Sequence, residues 1–302
     1  MKRDLLSIQD LSATELHDVV DTAIHLKALR NAGTDHPLPR KCTLGMIFEK
    51  ASTRTRISFE VGMFELGGHA LFLNPNDMQL GRGEEVRDTS RVLSRYLSAI
   101  MIRSYLHETV VELAGYAGIP VINGLSDREH PCQIIADIMT MKEEFGTTEG
   151  LRVAYVGDSN NVSNSLLLAA PLAGYEMAIA SPEGFLPEED IVAQADRAGA
   201  RYEITTSPKE AVSGADIIYT DTWVSMGSED EHDARLRAFA GFTVDEALVR
   251  HAQDGVKVLH CLPAHRGEEI TGSVMDGSSS LIWDQAENRL HAQKALMMML
   301  LE

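Results

Sequence analysis

The chain has 302 residues, of which 44% are hydrophobic, and this length and composition allow about two domains with substantial cores. The 27 basic and 45 acidic residues give a formal net charge of −18 at pH 7, which argues against nucleic acid or an anionic membrane as the main partner. A phosphate-bearing ligand would also be repelled at long range, so it would need a local cluster of arginines to bind.

The acidic excess has two interpretations. Only eight of the 27 basic residues are lysine. A heavily acidic, lysine-poor surface stays hydrated in brine, where salt also screens its self-repulsion. The chain is therefore either adapted to high salt or an ordinary acidic protein of the cytosol.

The cysteines indicate a reducing compartment. They form an odd and widely scattered set that fits neither a disulfide framework nor a metal-ligand pattern: Cys42, Cys132 and Cys261. The N-terminus contains no apolar run of the kind found in signal peptides, and no apolar stretch approaches the roughly 18 residues of a membrane span. We expect a cytoplasmic protein without a membrane partner.

The first half of the chain alternates strand-like and helix-like runs after an opening helix. That helix starts at a capping box formed by Ser12 and Glu15 and ends at Gly33. Further strands are predicted at 44–48, 69–73, 98–103 and 120–123, and further helices at 57–66, 86–96, 109–117 and 132–145. Gly146 ends the last of these helices, so we place the domain boundary in the polar stretch 146–150.

The second half repeats the alternation. Strands are predicted at 151–158, 176–180, 202–205, 216–220 and 257–260, with helices between them and a last helix at 285–301. Such alternation is typical of a parallel sheet covered on both faces, whose ligands gather at the carboxyl ends of the strands. The sequence thus predicts an α/β fold with two doubly wound parallel-sheet domains, residues 1–145 and 150–284, joined by the long helix 132–145.

A turn rich in hydroxyls and arginines lies between the strand 44–48 and the helix that follows. It contains Ser52, Thr53, Arg54, Thr55 and Arg56. The start of a helix offers unpaired backbone N–H groups and the positive end of the helix dipole, and the side chains add the donors that phosphate oxygens bind. The turn is therefore either a phosphate site or an ordinary N-cap with solvated arginines.

Two other places in the first half carry candidate site residues. Arg103 ends a buried strand, where a parallel sheet presents side chains to a ligand, although a salt-bridged structural arginine is the alternative. The long helix begins with His130, Pro131, Cys132 and Gln133, and a proline in the first turn fixes its start. A histidine and a glutamine at this place can polarise a carbonyl, or His130 is a hydrogen-bonded structural residue.

Two strands of the second half are followed by candidate residues. Asp221 can accept from an ammonium group, and the segment from it to Gly227 could close as a lid, although an aspartate here could also merely cap a helix. Cys261 could be a small buried hydrophobe or a nucleophile, but no base is assigned to it and a non-covalent contact suffices.

Several common nucleotide and catalytic motifs are missing. The turn 157–160 lacks the G-x-G-x-x-G spacing that lets a pyrophosphate approach the backbone, so dinucleotide binding is not expected. The sequence also contains no Walker A motif, no H-E-x-x-H and no nucleophile elbow.

Four motifs, in this order, resemble those of the carbamoyltransferases. They are Ser-Thr-Arg-Thr-Arg at 52–56, His-Pro-Cys-Gln at 130–133, Asp-x-Trp-x-Ser-Met-Gly at 221–227 and His-Cys-Leu-Pro at 260–263. The Ser-Met-Gly loop and His-Cys-Leu-Pro together are similar to the ornithine carbamoyltransferases rather than to the aspartate enzymes. The resemblance covers nearly the whole chain.

The resemblance implies a set of residues that bind carbamoyl phosphate. They are Ser52, Thr53, Arg54, Thr55, Gln79, Arg103, His130, Pro131, Cys132, Gln133, Cys261, Leu262 and Arg289. Arg56 is expected behind them because it points away from Arg54 on the helix. Gln79 matches a position that reaches the site of a neighbouring subunit, which implies a homotrimer or a multiple of trimers. Arg289 implies that the last helix, 285–302, crosses back onto the first domain.

The resemblance also assigns one substrate to each domain and catalytic roles to individual residues. The first domain, together with helix 285–302, would bind carbamoyl phosphate, and the second domain would bind L-ornithine through Asn161, Asp221, Ser225 and Met226. Catalytic roles would fall to Arg103, His130, Asp221 and Cys261. The family usually has a cis peptide bond at the position of Leu262-Pro263.

The implied reaction needs neither a metal nor an organic cofactor. The neutral δ-amine of ornithine attacks the carbamoyl carbon, Arg103, His130 and Thr55 donate to the developing oxyanion, and the arginines stabilise the departing phosphate. Two alternatives stay open: a carbamoyltransferase for another amine, such as putrescine or an acylated ornithine, and a phosphate-ligand-binding protein without turnover. The direction of flux, toward arginine synthesis or arginine breakdown, is also open.

Overall fold

The computed structural model describes residues 2–38, 41–79, 83–224 and 231–301. The chain divides into two compact units: unit 1 consists of Met1–Met139 and Glu287–Glu302, and unit 2 consists of Thr140–Ala286. Each unit contains one sheet, and every strand pair of the two sheets is parallel. The predicted α/β class with two parallel sheets is therefore confirmed.

The sheet of unit 1 has four strands. They are β1 (Thr43–Phe48), β2 (His69–Leu73), β3 (Ala99–Arg103) and β4 (Val121–Leu125). Their spatial order is β2-β1-β3-β4, so the chain moves outward from β1 to β2 and then crosses to the other side of β1. Ligands of doubly wound sheets bind at this reversal, which lies here at the carboxyl ends of β1 and β3.

The sheet of unit 2 has five strands. They are β5 (Arg152–Val156), β6 (Glu176–Ala180), β7 (Tyr202–Thr205), β8 (Ile217–Thr220) and β9 (Lys257–His260). Their order is β7-β6-β5-β8-β9, which places the reversal between β5 and β8. By the same rule, side chains that follow β5, β8 and β9 are candidates for ligand contacts.

Helices precede, connect and follow the strands. In chain order they are α1 (Ala13–Asn31), α2 (Thr53–Glu65), α3 (Val86–Leu93), α4 (His107–Tyr116), α5 (Pro131–Phe145), α6 (Asn161–Ala173), α7 (Glu189–Ala198), α8 (Pro208–Val212), α9 (His232–Ala238), α10 (Glu246–Val249), α11 (Gly272–Met275) and α12 (Ile282–Leu301). Within the described residues, none of them combines the length and the apolar character that crossing a bilayer requires.

The strands follow from the distribution of apolar residues. All five residues of β3 are buried, as both-face coverage of a parallel sheet demands of its central strands. Apolar side chains from β1, β3, β4 and α4, among them Ile47, Ile102 and Leu113, form one core of unit 1. The edge strand β2 is only partly covered, and none of its residues is fully buried.

The predicted helix boundaries depend on capping. Ser12 and Glu15 form the expected capping box at α1, with Glu15 N donating to Ser12 Oγ at 3.3 Å and Ser12 N donating to Glu15 Oε2 at 2.8 Å. The predicted start of the last helix was three residues late. Helix α12 begins at Ile282, whose N–H donates to Ser280 Oγ at 3.4 Å.

The end of α12 belongs to unit 1, as the predicted return of the last helix requires. Its Lys294 side chain is buried, and Nζ donates to Glu65 Oε2 of α2 at 2.6 Å. The other carboxylate oxygen of Glu65 accepts from Arg30 Nε of α1 at 2.8 Å. One carboxylate therefore joins three helices, and the full burial of Lys294 makes the loss of its contact with Glu65 costly.

His291 lies on the same helix, one turn before Lys294, and is fully buried. Burial, reinforced by the positive charge of Lys294, lowers the pKa of His291 to about 4, although Glu287 Oε1 at 3.5 Å opposes the shift. The folded protein thus excludes a proton that the unfolded chain binds below about pH 6.5. Stability contributed at this position is present above that pH and is lost as the pH falls toward 4.

We predict that the free energy of unfolding of wild type falls more steeply between pH 7 and pH 4 than that of His291→Gln. The expected difference is at most about 3 kcal/mol, measured by urea unfolding across this range. His25→Gln, which changes an exposed histidine of α1, is the matched control and should follow the wild-type curve. Parallel curves for wild type and His291→Gln would contradict the prediction.

Candidate active site

The reversal in the sheet of unit 1 brings two candidate segments side by side. Phe48 at the end of β1 is in register with Arg103 at the end of β3. The pairing of β3 with β4 shifts at this point, so that Arg103 pairs with Leu125 instead of Gly124. Arg103 is buried, at the edge of the sheet where α2 begins.

The amino end of α2 is built by the predicted hydroxyl-rich turn. Ser52 is the N-cap, and its Oγ accepts from Thr55 N at 3.2 Å and donates to Thr55 Oγ1 at 3.1 Å. Thr55 is buried, whereas Arg54 is half-buried and Thr53 is exposed. Ser52 is therefore an N-cap, as the alternative interpretation of this turn predicted. The other backbone donors in the first turn of the helix are still available to an anion.

Arg289 of α12 reaches this turn across 234 positions of sequence. Its Nη2 donates to Thr55 Oγ1 at 3.2 Å, and its Nη1 donates to Gln133 Oε1 at 2.5 Å. Gln133 Nε2 in turn donates to Asp137 Oδ1 at 2.8 Å. All four side chains are buried, so they form one continuous polar chain from α5 through α12 to α2.

His130 lies just before α5, among three guanidiniums. Burial, with the charges of Arg289, Arg103 and Arg54, holds the pKa of His130 well below the ordinary value for histidine. The imidazole is therefore neutral at physiological pH and can donate one N–H without adding a further positive charge. A neutral histidine beside three fixed cations suits the polarisation of a carbonyl next to a phosphate.

The remaining predicted residues of unit 1 differ in accessibility. Cys132 Sγ donates to Asn123 O at 3.4 Å, and burial raises the pKa of this thiol to about 12, which excludes a thiolate nucleophile here. Pro131 is the first residue of α5. Gln79 is exposed, and Arg56 lies over the ring of Phe72, with 4.0 Å between its Cζ and the ring centroid.

In unit 2, Asp221 follows β8 and gathers donors from three segments. Oδ2 accepts from Asn160 Nδ2 at 2.7 Å, and Oδ1 accepts from Thr222 N at 2.8 Å and from Cys261 Sγ at 2.9 Å. Asp221 and Cys261 therefore lie in contact, as expected of residues that follow neighbouring strands. The thiol is a donor in this arrangement, which favours a non-covalent role.

The loop after β9 is held by a buried histidine. Leu262 N donates to His260 Nδ1 at 2.9 Å, so His260 carries its proton on Nε2, which donates to Glu269 Oε1 at 3.0 Å. The Leu262-Pro263 bond is cis, as the resemblance implied, and Leu262 has a φ of 61°. Non-glycine residues rarely adopt this conformation, so its maintenance requires fixed neighbours such as His260.

Some contacts of the candidate site were not anticipated. Sequence reasoning assigned Asn161, the first residue of α6, to the ligand, and it did not anticipate that the neighbouring Asn160 donates to Asp221. Asp137 was missed as well, although its position one helical turn after Gln133 could have indicated the contact. Ser225 and Met226 lie outside the described residues.

Comparison with known proteins identifies both halves of the chain. The family model described as the carbamoyl-P binding domain of aspartate/ornithine carbamoyltransferase matches residues 3–143. The model of the Asp/Orn binding domain of the same family matches residues 149–300. Together the two models cover almost the full sequence.

Individual relatives are similar over their full length. The ornithine carbamoyltransferase of Methanoculleus marisnigri is 60% identical over 301 residues, which are 100% of this chain and 97% of the relative. The solved ornithine carbamoyltransferase of Pyrococcus furiosus has a TM-score of 0.94 at 51% identity, covering 98% of this chain and 96% of that one. The Thermus thermophilus structure has a TM-score of 0.91 at 42% identity, covering both chains completely. The chain therefore belongs to the aspartate/ornithine carbamoyltransferase family, within its ornithine carbamoyltransferases.

Proposed function

We propose that the protein transfers the carbamoyl group of carbamoyl phosphate to the δ-amine of L-ornithine, giving L-citrulline and phosphate. The observation that carries this proposal is the gathering of Arg54, Arg103 and Arg289 around a neutral His130 at the amino end of α2. In a chain of net charge −18, such a cluster suits a small dianion.

The phosphate group is bound at the start of α2. Ser52, Thr53, Arg54 and Thr55 surround it with backbone N–H groups, hydroxyls and a guanidinium. At about 4 Å, each unit-charge contact between an arginine and phosphate contributes roughly 1 kcal/mol in water and about 4 kcal/mol at an effective dielectric of about 20. Exclusion of water therefore strengthens the binding as much as the choice of arginine does.

The carbamoyl carbonyl is polarised by Arg103, His130 and Thr55. The δ-nitrogen forms a bond to the carbamoyl carbon, and the bond from that carbon to the phosphate oxygen then breaks, so negative charge passes through the carbonyl oxygen to the phosphate. The ammonium proton released on the way goes to phosphate or to solvent. Gln133 and Arg289 hold Thr55 in place through the buried polar chain.

Ornithine is bound by groups of unit 2. Asn161, Asp221, Ser225 and Met226 are the residues we assign to it. Asp221 offers a carboxylate to an ammonium group, in exchange for one of the donors that it holds in the structure. Cys261 contributes through its thiol proton, without forming a covalent intermediate.

The cytoplasm is the proposed place of action. Cys42, Cys132 and Cys261 form no disulfide with one another, which suits a reducing compartment.

We predict that Arg54→Ala lowers kcat/KM for carbamoyl phosphate by about 1000-fold, because a phosphate contact of about 4 kcal/mol is lost. Citrulline formation measures the effect, and circular dichroism checks the fold. Arg56→Ala removes the same charge from an exposed position two residues away and should retain most activity. Near-normal turnover by Arg54→Ala would contradict the phosphate assignment.

Asp221→Asn should raise KM for ornithine by about 10- to 100-fold, since a charge-assisted hydrogen bond of roughly 1.5–3 kcal/mol is weakened. The Kd for carbamoyl phosphate, measured by calorimetry, should change little. Asp254→Asn, at an exposed position of unit 2, serves as the control. An unchanged KM would remove Asp221 from the ornithine site.

A substrate panel separates this function from its alternatives. Wild type should form citrulline from ornithine faster than it carbamoylates putrescine or an acylated ornithine at equal concentrations. Preference for another amine would favour the alternative carbamoyltransferase, and binding of carbamoyl phosphate without any product would favour a protein without turnover.

For the assembly we infer a homotrimer, or a multiple of trimers, with Gln79 reaching a neighbouring site. Support comes from an apolar surface of unit 1 made by α2 and the edge strand β2. Its large side chains are exposed by 78% at Phe64, 54% at Ile57 and 40% at Phe72. A contiguous surface of this kind is typical of an interface with another protein chain.

Phe64→Glu should dissociate the assembly, because a carboxylate cannot be buried in that apolar surface without a partner. Light scattering after gel filtration should give the mass of three or more 33.1 kDa chains for wild type and a smaller mass for the variant. Leu186→Glu introduces the same charge at a 42% exposed leucine of unit 2 and should leave the mass unchanged. A monomeric wild type would exclude the trimer.

A further inference from the structure

We propose that unit 2 carries a binding site for a divalent transition metal of the zinc class, formed by His265, Glu268 and Glu269. One ligand atom from each of these residues lies within 4.8 Å of the other two. The ion would take no part in the carbamoyl transfer, and the inference is independent of the proposed function. The inference rests on the burial and hydrogen bonding of the two carboxylate oxygens of Glu269.

Glu269 is a fully buried carboxylate whose two oxygens differ. Oε1 accepts from His260 Nε2 at 3.0 Å and from the backbone N–H of His265 at 2.6 Å. Oε2 is also buried but has no hydrogen-bond partner among the described residues. Because a buried carboxylate oxygen without a hydrogen bond is costly, a cation bound between Oε2 and the nearby imidazole of His265 would stabilise it.

The neighbouring side chains provide the remaining ligands. His265 Nδ1 lies 3.7 Å from Glu269 Oε2, and Glu268 offers a carboxylate oxygen to the same cluster. Two donors each about 2.0–2.1 Å from a tetrahedral zinc ion are about 3.4 Å apart, so the separation of His265 from Glu269 is close to that of two ligands of a shared ion. It is too long for a direct hydrogen bond.

The composition of the set selects the metal. Imidazole and carboxylate together suit zinc and its transition-metal neighbours, whereas magnesium and calcium favour oxygen alone. The Nε2–H of His260 donates to Oε1 of Glu269 and so fixes the orientation of this carboxylate. Oε2 is thereby left for the ion. The ion would replace the 3.1 Å contact between His265 Nδ1 and Thr222 Oγ1, and that hydroxyl also reaches Val224 O.

The loop that carries the ligands is already ordered. Gly267 N donates to Ile270 O at 2.9 Å, and Glu268 N donates to His265 O at 3.0 Å. Arg266 forms a two-point ion pair with Asp276, with N–O distances of 2.6 and 2.8 Å. Little ordering is therefore needed for binding, and the ion would hold the three ligands of the loop after β9 together.

A second group of possible ligands is less suitable. Asp221, His260 and Cys261 also lie within 4.8 Å of one another. Both ring nitrogens of His260 are already engaged, with Leu262 N and with Glu269 Oε1, so this set could offer only two ligands without rearrangement. Substitution of Cys261 therefore distinguishes the two sites.

The test uses full-length protein freed of metal by dialysis against a chelator, and Zn²⁺ as the probe. Calorimetry should show one tight site per chain, with a Zn²⁺-dependent rise in Tm. The double variant His265→Asn, Glu268→Gln should lose at least about tenfold in Zn²⁺ affinity, because even the outer-shell partners of metal ligands typically contribute about 10- to 100-fold. Both side chains are accessible to solvent, so the fold should be retained, as circular dichroism can verify.

Two matched controls complete the experiment. Cys261→Ala and His251→Asn should bind Zn²⁺ like wild type, and the absorption spectrum of the Co²⁺ form should lack a thiolate charge-transfer band. Absence of tight Zn²⁺ binding in wild type would overturn the proposal. So would unchanged affinity in the double variant, or loss of the site in Cys261→Ala.

Discussion

The structure of unit 1 depends on holding several guanidiniums together at one end of a helix. The charges of Arg54, Arg103 and Arg289 all lower the pKa of His130. The three guanidiniums also repel one another, and a bound anion would compensate this repulsion. The neutral state of His130 avoids a fourth cation. The positive end of α2 adds to the same field, so the cluster is a stable arrangement for a bound phosphate and a strained one for any cation.

The position of Arg289 is a consequence of packing elsewhere on α12. Lys294, one to two turns further along this helix, is held by Glu65, and Glu65 is held by Arg30. Gly62 of α2 permits the approach, because an added Cβ there would lie 3.1 Å from Lys294 Cγ. A partly buried ion network elsewhere on α12 thus contributes to the position of Arg289, which we assign to the phosphate.

Unit 2 uses a different principle, in which the polar groups after three strands satisfy one another. Asn160 follows β5, Asp221 follows β8 and Cys261 follows β9, and their side chains are joined through the Asp221 carboxylate. Asn160 also caps α6, accepting from Val162 N at 2.9 Å, so it cannot move without loosening that helix. A ligand that displaces one donor of Asp221 therefore meets a carboxylate already held in a fixed orientation.

The amino-acid sequence by itself determined the α/β class, the alternation of strands and helices and the hydroxyl-rich start of α2, because these depend on local periodicity, capping and turn residues. The four motifs on which the family resemblance rests, and their order along the chain, are also properties of the sequence alone. Only the tertiary structure decided that Arg289 bonds Thr55 and Gln133, that Asn160 donates to Asp221, and that one buried oxygen of Glu269 has no hydrogen bond among the described residues. These features depend on residues far apart in the chain, and they are set by sheet order, helix packing and burial, which no local pattern records.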